Sequence, residues 1–237
     1  MKKLSIIIPC YNEEKLITAI LDKVLQGTLK YDLEKEIIVV NDGSADGTAE
    51  TLKNFVTQNS YIHIIHQEKN LGKGAAIRSA LTKVSGEVII IQDADLEYDP
   101  NDYNKLLQPI VEGYADVVYG SRFIGDGPHR VLFFFHTIGN KLLTFLSNLF
   151  TGLNLTDMET GYKMFKTEII KQINLKENRF GFEPEVTAKL SHIKNIRFYE
   201  VGIAYYGRTY TEGKKINWKD GFRALWCILK YNIFYRR

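Results

Sequence analysis

The sequence predicts an α/β fold, a mostly parallel central sheet covered on both faces by helices. Three observations carry this expectation. Short branched apolar runs recur at 4–8, 37–40, 62–65, 88–91 and 116–119, as in strands buried on both faces. Between them apolar residues fall at helical spacing, as in Ile17, Ile20, Leu21, Val24 and Leu25 and again over 75–84, and strand alternating with helix gives parallel pairing. Finally, four of the strands end in polar or tight residues, on the rim where sheets of this kind bind ligands.

The first strand runs into Pro9-Cys10-Tyr11-Asn12-Glu13-Glu14. Pro9 stiffens the turn, Tyr11 offers a face to a planar base, and Glu13 accepts from a base or ribose. In the alternative, Asn12 caps the first helix while Glu13 and Glu14 complement its dipole. The second strand ends in Asn41-Asp42-Gly43-Ser44, a turn-rich lead into a helix. Beside Tyr11, Asp42 becomes a candidate ribose or base contact. After the third strand, Asn70-Leu71-Gly72-Lys73-Gly74 lacks the GxxxxGK[ST] phosphate-loop spacing. It predicts mainly a tight helix entry, with phosphate binding by Lys73 as the lesser alternative.

The fourth strand meets Asp93-Ala94-Asp95-Leu96-Glu97, the strongest site candidate. Carboxylates on alternate positions repel unless a cation lies between them. Their hard oxygens favour Mg2+ or Mn2+, which also take phosphate oxygens. A solvated acidic turn ahead of a helix is the alternative. The fifth strand ends in Gly120-Ser121-Arg122.

Beyond residue 125 the pattern changes. A loop at 125–128 precedes a long helical candidate over 130–150, a segment at 162–166, a helix over 183–190, a strand over 197–201 and a terminal helix from Trp218. Neither a linker nor a repeat interrupts the chain, so one domain over 1–237 with a C-terminal helical elaboration is expected. Arg122, Arg130, Arg208, Lys214 and Lys215 stand beside glycines, aromatics or loops, and arginine suits bidentate phosphate binding. The stretch 205–215 has the character of a lid that closes cations onto a diphosphate.

The bulk numbers agree with a soluble globular chain. Its 237 residues are 45% hydrophobic and 25% charged, and 31 basic against 28 acidic residues leave a net charge of +3. So mild a balance, without any nucleic-acid-reading motif, excludes nucleic acid as a partner. Cys10 and Cys227 lie far apart and suggest a reducing compartment. Residues 4–9 are too short for a signal-peptide core, and the uncharged run 142–156 falls short of a transmembrane helix. Phe133-Phe134-Phe135 and the aromatic tail 225–231, closing on Arg236-Arg237, leave a monotopic membrane contact open.

The segments PCYNEE, NDGSADGT, NLGKGAA, DADLEYDP and GSRF, in that order, resemble the family 2 glycosyltransferases of GT-A (Rossmann-like) fold. DMETGYKMF, RFGFEPE and YYGRTYTEGKKI are similar to the polyprenyl-phosphate branch, that of dolichyl-phosphate mannose synthase. The resemblance covers essentially the whole chain. It implies inverting, metal-dependent transfer from a nucleotide-diphosphate sugar to a dolichyl or undecaprenyl phosphate. Residues 1–124 would form the nucleotide-sugar half, and 125–237 the acceptor half with the C-terminal helix.

By the same resemblance Pro9, Tyr11, Glu13 and Asp42 hold the nucleoside. Asp93, Ala94 and Asp95 meet the diphosphate, and Asp93, Asp95 and Glu97 bind Mg2+ or Mn2+. Arg208 and Lys214 bind the donor phosphates, Arg122 and Arg130 the acceptor phosphate. The catalytic set is then Asp93, Asp95, Arg122 and Arg130. Asn41 stands where the family often has Asp, and Glu97 where mannose synthases commonly have Gln, so the sugar and base stay open.

A phosphate acceptor is already anionic and needs cations more than a base. A sugar hydroxyl, the first alternative acceptor, needs a general base, for which Glu183 and Glu185 are the candidates. The QxxRW motif of processive synthases is missing. A sugar-nucleotide pyrophosphorylase, the second alternative, predicts a glycine-rich loop where this chain has Pro9-Cys10-Tyr11. The implied location is cytoplasmic, peripheral at the cytoplasmic face of a membrane. A separate membrane partner or a homo-oligomer is left open.

Overall fold

The structure, a computed structural model, describes residues 1–59, 61–125, 128, 130–131, 134–208 and 218–234. Seven strands make one sheet: β1 (Lys3–Cys10), β2 (Glu34–Asn41), β3 (Ile62–His66), β4 (Val88–Ile91), β5 (Val117–Ser121), β6 (Lys163–Lys166) and β7 (Phe198–Gly202). Their order is β3-β2-β1-β4-β6-β5-β7. β6 runs antiparallel to both β4 and β5, and the other neighbouring pairs are parallel. The chain winds from β1 out to β3 and returns to β4 on the other side of β1. That reversal opens a crevice at the carboxyl ends of β1 and β4.

The helices are α1 (Ile17–Gln26), α2 (Thr48–Gln58), α3 (Lys73–Leu81), α4 (Tyr103–Val111), α5 (Phe134–Thr151), α6 (Thr167–Ile170), α7 (Phe182–Ser191) and α8 (Trp218–Leu229). Strand alternation sorts the core into two layers. Ile6, Ile8, Ile37, Val39 and Ile90 join Ile17, Ile20, Leu21 and Val24 of α1 and Leu106, Leu107 and Ile110 of α4. On the opposite face Ile7, Ile38, Val40, Ile89 and Ile91 join Ala76, Ile77 and Ala80 of α3 and Phe182, Val186 and Leu190 of α7. Each wholly buried isoleucine contributes about 1.5–3 kcal/mol, so both coverings are needed to keep the sheet out of water.

The mostly parallel, helix-flanked sheet is the one expected. The long helix starts at Phe134 rather than 130, and the helix expected over 75–84 is Lys73–Leu81. The cap assigned to Asn12 is corrected: α1 begins at Ile17, and the Leu16 and Ile17 N–H groups bond the Glu13 carbonyl instead. Asn12 sits in the left-handed region at φ 52. Its side chain accepts from Ala45 N–H and its own N–H donates to Ser44 Oγ, tying the β1 and β2 loops together. Glu14 likewise turns to the Gly47 N–H.

Two helices turn apolar faces outward. α5 buries Thr144 and Ser147 but exposes Phe134, Phe135, Leu142, Phe145 and Leu149. α8 tucks in Ala224, Cys227 and Ile228 and exposes Phe222 and Trp226, a pattern continued by Ile233 and Phe234 in the π-helical turn Lys230–Phe234. Among the described residues no helix is long and apolar enough to cross a membrane. The α8 end is held by Glu177, which accepts from Arg223 Nε (3.1 Å), Lys230 Nζ (2.9 Å) and Tyr231 Oη (2.7 Å). These partners outweigh burial and draw its carboxyl down to about 2. Both cysteines are buried and unbridged.

Candidate active site

The carboxyl ends of β1, β2 and β4 bring together Glu13, Asp42, Asp93 and Asp95, and the β7-side strip 205–208 closes over them. β4 delivers its acids because Gln92, wholly buried, is pinned by hydroxyls of Tyr103 (2.7 Å) and Tyr162 (2.5 Å). Leu96 at φ 61 then turns the chain so that Asp95 and Glu97 face the strip. Gly161 is required beside them, since a Cβ there would collide with Asp93 Oδ2.

Glu13, Asp93 and Asp95 each meet a cation. Lys73 Nζ lies 2.8 Å from Asp93 Oδ1 and 3.1 Å from Glu183 Oε1. Burial pushes the Lys73 ammonium down, but these two charges outweigh it and hold it well above its ordinary value. Arg208 Nη2 lies 2.9 Å from Asp95 Oδ2, and the guanidinium is 3.8 Å from Glu13 and 3.7 Å from Glu97. Burial first, then the Asp93 and Glu97 charges, still raise the Asp95 carboxyl. The rim therefore holds more negative charge than its arginine and lysine relieve.

Lys73 reaches this place through glycines. Gly72 adopts φ 99, and side chains at Gly72 or Gly74 would strike the main chain of Glu177 and Asn178. Asp42 braces the same loop: it is 3% exposed, and its two oxygens accept from Leu71 N–H (2.8 Å) and Gly72 N–H (2.7 Å). Its carboxylate thus supports the Lys73 loop at the same strand end where the sequence suggested a ribose or base contact. Pro9 and Tyr11 are half-buried beside the crevice, and Ala94 is buried between the two aspartates.

Glu97 closes the strip: its carboxylate accepts from the Arg208 N–H (2.8 Å) and the Tyr205 hydroxyl (2.9 Å). Arg130 approaches that strip too, through its N–H to Tyr205 O and Nη1 to Gly207 O, each 2.9 Å. Arg122 is committed to buried Asp157, with Nε 2.6 Å and Nη2 2.7 Å from its oxygens, and its guanidinium stacks over Tyr205 at 5.2 Å. Lys214, with Lys215, lies outside the described residues. Of the two candidate bases, Glu185 is wholly buried and accepts from Lys176 and Glu177 N–H and from Lys189. Only Glu183 reaches the rim.

Several contributors escaped the sequence. Asp157 and Glu159 sit within the DMETGYKMF motif without having drawn a role, and Lys73, read mainly as part of a helix entry with phosphate binding as the lesser alternative, is instead paired with Asp93 and Glu183. Burial raises the Glu159 carboxyl, with the Glu183 charge adding to it. Lys163, also buried, donates to the Met158 and Thr160 carbonyls.

Among the described residues no three His, Cys, Asp or Glu side chains form a ready-made metal cage. Asp93 and Asp95 nevertheless fit a hard divalent ion that completes its shell with phosphate oxygens, because another positive charge relieves the excess that raises Asp95.

Residues 5–173 match the family model described as glycosyl transferase family 2. The chain is 30% identical to the dolichyl-phosphate beta-glucosyltransferase ALG5A of Trichomonas vaginalis, over 98% of this chain and 74% of that protein. It is 25% identical to the dodecaprenyl-phosphate galacturonate synthase of Rhizobium johnstonii, over 99% and 68%. Its fold is shared with glucosyl-3-phosphoglycerate synthase of Mycobacterium tuberculosis, solved with Mn2+, UDP and phosphoglyceric acid, at a TM-score of 0.74 and 17% identity over 98% and 79% of the two chains.

Proposed function

The chain belongs to glycosyl transferase family 2, and we propose that it moves one sugar from a nucleotide-diphosphate sugar to a polyprenyl phosphate, with inversion. It is a glycosyltransferase of the polyprenyl-phosphate branch, and the lipid acceptor is the finer step. The outward apolar faces of α5 and α8 carry that step. α5 buries its polar side because Thr144 Oγ1 accepts from Met158 N–H and Asn148 bonds both main-chain groups of Leu155. The segment so held leads into Asp157 and its partner Arg122. An apolar surface is thereby fixed next to the cations suited to an anionic head group.

In the reaction, an acceptor phosphate oxygen attacks the anomeric carbon as the bond to the diphosphate breaks, and the nucleoside diphosphate leaves with the bonding pair. Arg208 exchanges part of its contact with Asp95 for the donor diphosphate, while Lys73 holds Asp93 in place. Asp93 and Asp95 would hold Mg2+ or Mn2+, whose chemistry is to neutralise the departing diphosphate. Pro9, Tyr11, Glu13 and Asp42 line the nucleoside side, Asp42 while its carboxylate also braces the Lys73 loop. Arg130, and Arg122 through the edge not bound to Asp157, face the acceptor phosphate. No base is needed, in keeping with Glu185 being enclosed and Glu183 paired with Lys73.

Contact with the membrane is peripheral, at its cytoplasmic face, with the α5 and α8 side chains entering the interface. Incubation with radiolabelled nucleotide sugars, polyprenyl phosphate and Mn2+ tests this reading. Label is expected in the lipid fraction from at least one donor, and chelation of the metal is expected to abolish it. Failure of every donor to label lipid overturns the proposal.

A further inference from the structure

The segment Lys176-Glu177-Asn178 lies between the Lys73 loop and α8. Its inner side is moulded to the loop. Side chains at Gly72 or Gly74 would collide with its main chain, Ala75 N–H donates to the Asn178 carbonyl (3.2 Å), and Arg78 Nη1 donates to the Glu177 carbonyl (2.6 Å). The Lys176 and Glu177 N–H groups donate to Glu185, each at 2.7 Å. Glu185 stands on the same first turn of α7 as Glu183, the partner of Lys73. On its outer side the segment reaches α8 through the buried Glu177 carboxylate. Arg223, Lys230 and Tyr231 donate to it, and they belong to the helix and turn that expose Trp226, Ile233 and Phe234.

A carboxylate this deeply buried is tolerated only while its cations stay. Both cations come from α8 and the turn after it, so displacing α8 strands the charge. Glu177 then regains water only if the 176–178 main chain shifts, and the close fit at Gly72 and Gly74 carries the Lys73 loop with it. Covering the outer face of α8 with an apolar surface favours the seated helix. We propose that Glu177 is a positioning residue for the transfer reaction: it ties the seat of α8 on a lipid surface to the Lys73–Asp93 pair, so that membrane contact tightens the donor diphosphate site. This rests on the peripheral glycosyltransferase reading above and adds a coupling between its two contacts. Lipid raises the fraction of molecules with Lys73 set between Asp93 and Glu183, and such a coupling acts equally in both directions.

The test reads both directions on the full chain. Affinity for UDP and for GDP with Mn2+ is measured by calorimetry with and without vesicles of equal parts phosphatidylcholine and phosphatidylglycerol, free of polyprenyl phosphate. Cosedimentation with the same vesicles is measured with and without the nucleotide. Wild type is expected to bind one nucleotide about fivefold or more tighter on vesicles, and to bind vesicles tighter by the same factor with that nucleotide present. Glu177→Gln and, from the α8 side, Lys230→Gln are each expected to bring the factor close to one while still binding vesicles. If Glu177→Gln fails to fold, Lys230→Gln decides alone. A merely structural tie would weaken nucleotide binding equally with and without lipid and leave the factor intact. That outcome overturns the proposal, as does a wild-type affinity that lipid leaves unchanged. Failure of wild type to bind the vesicles, or to bind either nucleotide, overturns the functional reading itself.

Discussion

α1 and α5 both carry an apolar stripe at helical spacing, yet they are mounted in opposite senses. α1 places Ile17, Ile20, Leu21 and Val24 against the sheet, each 0% exposed, and gives Asp22 and Lys23 to water. α5 places Thr144 and Ser147 inward, packs Leu143 and Leu146 only partly against the core, and leaves Phe135 83% and Phe145 62% exposed. The same periodicity thus serves the core alone in one helix and mostly an outside medium in the other. Which face is buried depends on whether the surrounding segment offers apolar surface or, as at Leu155 and Met158, main-chain groups that the helix's polar side chains satisfy.

The sharpest way to break the comparison is to truncate a stripe residue in each helix. Leu21→Ala is expected to cost about 2–5 kcal/mol in urea unfolding, as buried leucines do. Next in size is the anchor of α8. Glu177→Gln is expected to cost about 1–2 kcal/mol, discounted because Arg223 is half-exposed. Because the folded Glu177 carboxyl lies near 2, below its unfolded value of about 4.3, this stabilisation is full above the unfolded value. It is lost as pH falls toward 2, so urea melts of wild type and variant should converge there. Phe135→Ser with Phe145→Ser is expected to weaken cosedimentation with vesicles bearing polyprenyl phosphate about tenfold, equivalent to about 1.4 kcal/mol. The smallest effect belongs to Leu142→Ala, whose cost to folding should stay under about 0.5 kcal/mol. Equal losses for Leu21→Ala and Leu142→Ala would mean that α5 is ordinary core.

The sequence displayed β1, β2 and β4 plainly, because doubly buried strands need unbroken branched runs. β6 was obscure, since Lys163-Met164-Phe165-Lys166 is short and flanked by lysines. Lys163 is nonetheless buried, satisfied by two carbonyls that only the fold supplies. The acids Asp93 and Asp95 were legible because their spacing is local. Lys73 was under-read because its partners Asp93 and Glu183 are distant in sequence, and a lone lysine after glycine carries no sign of them. Arg122 was legible as a cation, but its commitment to Asp157 was not, for the same reason.

The insertion of β6 between β4 and β5 also bears on how the chain is made. After β4 leaves the ribosome, about seventy-five further residues must follow before its antiparallel partner is complete. At about 5–20 residues per second this leaves an apolar strand edge open for about 4–15 s. Over that interval the nascent chain presents β4, all four residues of it buried in the finished fold, as a template for wrong pairing. Cotranslational chaperone demand should therefore concentrate between the emergence of β4 and that of β6.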